Sequence, residues 1–284
     1  MHRKRTAVSH IIKRFNKEKR VKGSAHKDGL GEKRFIMQIC SNRATREKAY
    51  RLAYSVYKDR GFVSENLSGM VVCPYDATPF AVTFLAIDRE TGEGAGTISI
   101  VRDGQGLPCD NIYPEELAGL RFQNRALVEV TRLAIAPKFR NSRELLIQLN
   151  NYISLYSRQV WHAADLVIEV NPRHAGFYKR LYLFEQIGTI KECARVKNAP
   201  ALLLRLDLGL RDTAIQETAG KKKNDVDRKY SRTLYPGFMK FSQEKNVAAE
   251  LERGYTPMSY PEAVYFGIGE HWCGLTGMEV SATG

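Results

Sequence analysis

The chain has 284 residues, 43% hydrophobic and 26% charged, and carries a formal net charge of +13. Those values suit a globular protein of one large or two small domains, and no apolar run approaches the ~20 residues of a bilayer-spanning helix. Five cysteines lack CxxC or Cys/His metal spacing, which predicts reduced thiols in a cytoplasm and no bound metal.

Residues 1–34 hold 12 Lys and Arg against 3 Asp and Glu, so most of the excess charge sits in a basic tail. Val8, Ile11, Ile12 and Phe15 recur there at helical spacing among Lys13, Arg14, Lys17, Lys19 and Arg20. Over 1–22 that pattern fits an amphipathic helix on an anionic membrane surface, such as the inner face of a membrane. A solvated, disordered tail is the alternative. The tail lacks the apolar core of a secretory signal, and GSAHKDGLGEK (23–33) reads as a linker.

The folded domain is expected over 35–210. RATREKAYRLAYSVYKDRG (43–61) has helical periodicity and stops at glycine. FAVTFLAID (80–88) and GAGTISIVR (94–102) are β-rich runs joined by TGEG, which predicts a hairpin. LVEVTRLAIAP (127–137) is a strand, SRELLIQLNNYISLYSRQVWHAA (142–164) a long helix and LVIEVN (166–171) another strand. HAGFYKRLYLF (174–184) reads as a short helix and ALLLRLDL (201–208) as a last strand. The order predicts a mixed α/β (α+β) fold with a partly antiparallel sheet flanked by helices. TAGKKKNDVDRK (218–229) reads as a polar linker inside a C-terminal extension, 211–284, of little periodicity.

VEVTRLAIAPKFR, then a helix, then VIEVNPRHAGFYKRLYLF, resembles the GNAT acyltransferase superfamily. YRLAYSVY, YDATPFAVTFLAI, GTISIVRDGQGLPCDNIYPEEL, EVTRLAI, EVNPRHAGFY and VKNAPALLLRLDL stand in the order of the long-chain N-acyl amino acid synthases. These are relatives of the acyl-homoserine-lactone synthases. The resemblance covers about residues 43–208. It implies that the strands at 127–135 and 166–171 are parallel neighbours that splay apart. A 4′-phosphopantetheine arm lies in the gap and brings an acyl thioester from acyl carrier protein, or from coenzyme A, to an amino acid's α-amino group. No resident cofactor is implied; the donor is a substrate.

Glu129 is the candidate base, because a carboxylate in an apolar strand needs a partner or a task. Arg132 would fork onto the acceptor's carboxylate or pair with Glu129. On a straight strand the two point to opposite faces, so a bulge, which the resemblance implies, must intervene. Tyr178 would donate to the departing thiolate, or fill space. Arg140, Asn141, Ser142 and Arg143 occupy the phosphate-loop position without the glycines frequent there, which favours a single phosphate. Asn171 and His174 flank the expected pantetheine path. Arg51 matches an arginine that the lactone synthases hold at their cleft entrance; it would bind the acceptor's carboxylate or lie on the solvated helix face. Asp76 is a further candidate for the acceptor's amine, or simply a turn aspartate. Ser99 stands where the lactone synthases carry arginine, which weakens S-adenosylmethionine as acceptor. The competing readings are a lactone-type signal synthase and a non-catalytic module binding membrane through its tail; nucleic acid is a less favoured partner.

Overall fold

In the computed structural model, which describes residues 33–221 and 223–273, the expected elements appear in order with several additions. The proposed membrane-binding segment lies outside the described residues. No described helix is long and apolar enough to cross a membrane.

The strands are β1 (Phe35–Ile39), β2 (Ala81–Asp88), β3 (Gly94–Arg102), β4 (Leu127–Ile135), β5 (Asp165–Val170), β6 (Glu185–Gln186), β7 (Lys191–Cys193) and β8 (Ala199–Asp207). They form one sheet in the order β1-β2-β3-β4-β5-β8-β6, with β7 also on β8. Only the β4–β5 pair is parallel; the others are antiparallel. The β2–β3 hairpin turns through Gly92, whose φ of 68° suits a residue without Cβ.

Alternation along the strands sorts the core. Phe84, Ile98, Ile100 and Val128 face a helix α3 (Arg143–Gln159), while Leu85 faces α1 (Arg43–Asp59). Both helices have an apolar stripe at 3.6-residue period and a side-chain cap. Asn42 and Thr45 form a capping box on α1, and Ser142 accepts from the Leu145 N–H on α3. The sequence pattern did not bring out α2 (Pro114–Phe122), whose buried residues are only Leu117 and Leu120.

Past β8 the chain continues into α5 (Leu208–Thr218), after α4 (Pro172–Tyr182) has closed the other side of β5. Helix α5 runs across the boundary drawn at 210, because Asp207 caps it while still ending the strand. An unexpected α6 (Phe241–Gly254) follows, its period masked by Glu244 at a buried position. Leu234, Tyr235, Phe238, Ala248 and Leu251 join the core beneath α3. On the opposite face Met258, Ala263 of α7 (Tyr260–Tyr265), Phe266 and Ile268 pack on Tyr50 and Ala49 of α1.

Candidate active site

Strands β4 and β5 are hydrogen-bonded only from Leu127↔Asp165 to Val130↔Ile168. Beyond that point β4 stays with β3 up to Ile135, and β5 stays with β8 up to Val170. The two strands therefore part, leaving backbone groups of 131–135 unpaired along the gap. A cavity of about 640 Å³ fills the fork.

The bulge required for Glu129 and Arg132 to share a cleft is present. Thr97 pairs with Ala134 and Ser99 with Thr131, so one β4 residue is extra, and Arg132 takes up the distortion at φ 53°. Both side chains line the cavity. They do not pair with each other. The Arg132 fork instead grips Asp76, with Nη1 and Nη2 each 2.5 Å from a carboxylate oxygen. Both groups are buried. Burial works against the Arg132 charge, but Asp76 raises its pKa above the ordinary arginine value.

Glu129 is 1% exposed. Its Oε2 accepts from the Cys109 N–H at 2.7 Å, presented by the short 3₁₀ turn Pro108–Asn111. Burial pushes its pKa up to about 7, and Arg195 and the Cys109 N–H keep it from rising further. A carboxyl poised there exchanges protons readily at neutral pH. Arg195 Nη1 lies 3.9 Å from Glu129 Oε1, and its Nη2 grips Glu169 of β5. Glu169 sits two residues beyond Val167, the register partner of Glu129, so both acids point to one face. Its Oε1 is buried without a partner.

Tyr178 lines the cavity within a cluster of Phe177, Tyr182 and Phe184. Burial raises its pKa to about 12, and among the described residues its hydroxyl has no hydrogen-bond partner. His174 also lines the cavity. Burial, reinforced by Arg173 and Arg60, lowers its pKa to about 4, so the ring is neutral. Because Nε2 accepts from Arg173 Nε at 3.3 Å, the ring proton belongs on Nδ1, which is buried without a partner. Asn171 lines the cavity and caps α4.

Arg140 lines the cavity as well, its nearest acid being Asp59 at 3.9 Å. Burial and then Arg140 and Arg173 lower the pKa of Arg60. Arg60, Arg140 and Arg173 thus lie close enough to repel one another. Asn141, Ser142 and Arg143 do not line the cavity; Ser142 spends its hydroxyl on the α3 cap. Arg51 lies outside too, on the solvated face of α1, bonded to Glu47 at 2.8 Å and the Ser68 carbonyl at 2.9 Å. Asp76 caps its own turn through the Cys73 N–H and is otherwise held by Arg132. The sequence reading missed Arg60, Glu169 and Arg195. Glu169 was findable by the argument used for Glu129, as a charge in an apolar strand; Arg60 is one of many charges on a patterned helix, at its C-cap, and Arg195 lies in a short turn without periodicity.

A model of the FeeM family, N-acyl amino acid synthases, matches residues 48–207. The chain belongs to the FeeM family of N-acyl amino acid synthases. The solved FeeM structure, from uncultured soil microbes, shares 31% identity and a TM-score of 0.55, covering 63% of this chain and 94% of FeeM. The acyl-homoserine-lactone synthase LasI shares 20% identity at a TM-score of 0.48, over 61% of this chain and 90% of LasI. BjaI, a CoA-dependent acyl-homoserine lactone synthase, shares 15% at 0.49, over 61% and 83%. Curated protein sequences give no match. As a FeeM-family member, the protein is an N-acyltransferase.

Proposed function

We propose that the enzyme moves a long-chain acyl group from an acyl carrier protein thioester to the α-amino group of an amino acid. The observation that carries this reading is Glu129, buried at the fork, open to the cavity and poised near neutrality beside Arg195.

An α-ammonium group loses its proton to Glu129, directly or through a water, and the neutral amine attacks the thioester carbonyl. Unpaired β4 backbone N–H groups beyond Val130 are the available donors for the tetrahedral oxyanion. The C–S bond then breaks, the thiolate takes up the proton that Glu129 holds, and Glu129, ionised again, removes the second proton from the amide-forming nitrogen and releases it to solvent. Tyr178, at about 12, is a weaker acid than a thiol of ~8.5. It therefore stabilises the thiolate by donating a hydrogen bond and keeps its own proton. Arg195 holds the acceptor's carboxylate in place of the fully engaged Arg132 fork and the distant Arg51. The His174 Nδ1–H serves an amide carbonyl of the pantetheine arm, and Arg60, Arg140 and Arg173 serve its phosphate. A single phosphate, as on a carrier protein, suits a site whose loop has no glycine-rich cradle.

The test supplies acyl-carrier thioester, acyl-CoA, mixed amino acids and S-adenosylmethionine together, and weighs the products. An N-acyl amino acid drawn mainly from the carrier supports the reading. A homoserine lactone, or turnover of acyl-CoA alone, overturns it.

A further inference from the structure

The cavity passes through the fork to the other face of the sheet. Its second lobe is apolar and lies between β5 and α3, with Leu166 and Ile168 on one side and Ile153 and Ser154 on the other. Its far wall comes from residues beyond the family match at 48–207: Arg211 of α5, with Tyr235 and Phe238 from the segment that follows.

This far wall is fastened at several points. The Tyr235 hydroxyl donates to the Tyr182 carbonyl at 2.7 Å, and the Leu234 N–H donates to the Leu181 carbonyl at 3.0 Å. Gly237 lies so close to α3 that a Cβ there would sit 2.7 Å from Ile147 Cδ1. Arg211 and Glu244 form an ion pair with both side chains fully buried, and Asp212 accepts from Arg211 Nη1 at 2.9 Å. An alkyl chain cannot displace a hydrogen-bonded ion pair without exposing an unpaired charge in the interior, which is heavily unfavourable. Phe238 and Tyr235 line the cavity together with Arg211.

We propose that Arg211, Tyr235, Phe238 and Glu244 form the chain-length gauge of this enzyme: the acyl tail enters the second lobe and ends against Phe238, Tyr235 and the Arg211–Glu244 pair. The proposal rests on the acyl-transfer reading and adds the determinant of acyl length. It implies a sharp upper limit, since the floor is a fixed ion pair rather than a deformable apolar cap.

The experiment measures binding of a homologous series of straight-chain acyl-pantetheine thioesters by calorimetry, and turnover of the same series. Phe238→Ala should lengthen the preferred chain, each extra methylene accepted raising affinity about fourfold, the worth of burying one CH₂ group. Ser154→Leu, filling the lobe from the α3 side, should shorten it. Binding reports the gauge even if no amino acid is acylated, so failure of the transfer reading and failure of the gauge are distinguishable. Length profiles unchanged in both variants, with melting temperatures near that of the unmodified protein, would overturn the proposal. A shift in only Ser154→Leu would place the tail in the lobe but remove Phe238 from the gauge, and would also overturn it.

Discussion

Arg132 and Arg195 both line the cavity, and the regions around them are built to opposite ends. Arg132 is sunk in the wall, and Asp76 takes both arms of its fork. Arg195 is 40% exposed along its side chain, holds Glu169 with one arm and lies 3.9 Å from Glu129 with the other. A guanidinium has five N–H donors in a fixed fork. Where a buried carboxylate fills that fork, the arginine is a structural brace. Where acids only partly engage it and solvent reaches it, donors remain for a substrate. Sequence offered Arg132 as the acceptor's anchor because it stands in the motif; the unassuming ARVKN segment supplies the better-placed cation.

The largest expected effect lies in the Arg195 region. Glu129→Gln keeps the shape and the contact with the Cys109 N–H but removes the base, so kcat should fall about 10²–10⁴-fold while the melting temperature changes little. Activity kept at the starting level would remove Glu129 from the chemistry. In the braced region, Asp76→Ala strands a buried arginine, and unfolding free energy should drop by about 3–5 kcal/mol, read from denaturant titration. A near-zero change would mean that Arg132 finds another partner and is no brace.

Arg195→Met should raise the acceptor KM about 10- to 100-fold, the worth of ~1.5–3 kcal/mol for hydrogen bonds to a charge. It should also move a pH profile. Glu129 must be ionised to act, so kcat/KM, which reports the free enzyme, rises through its pKa of about 7. Arg195 holds that value down, and its loss should carry the midpoint higher. The same shift makes stability depend on pH. The folded-state pKa lies above the unfolded carboxylate range, so folded protein binds more protons and loses stability as pH rises from that range towards 7. Glu129→Gln should flatten this limb of a thermal melt series. The smallest effect belongs to Arg51→Ala: its partner Glu47 is on the solvated helix face, so stability should change by about 0–1 kcal/mol with the acceptor KM nearly unaltered. A large rise in KM would restore Arg51 to the site.

Much of the fold was legible because its elements are strongly patterned. The hairpin, the fork strands and α3 have the alternating or helical periods that burial on one face imposes. Helix α6 escaped because Glu244 sits at a core position, where it is neutralised by Arg211, a partner 33 residues away. The site was legible in part for a related reason. A carboxylate inside an apolar strand is conspicuous, which singled out Glu129. Arg60 is an ordinary charge at a helix C-cap and Arg195 one in a short turn, and nothing local marks them.

The sequence alone determined the order of elements, the presence of a carboxylate in β4 and the family to which 48–207 belongs, because these depend on periodicity and on motifs read along the chain. The tertiary structure decided which cation faces Glu129, that Asp76 fills the Arg132 fork, and that residues beyond 207 line the cavity. Those choices are made by pairings across 56, 66 and more positions, where distance in space bears no relation to distance along the chain.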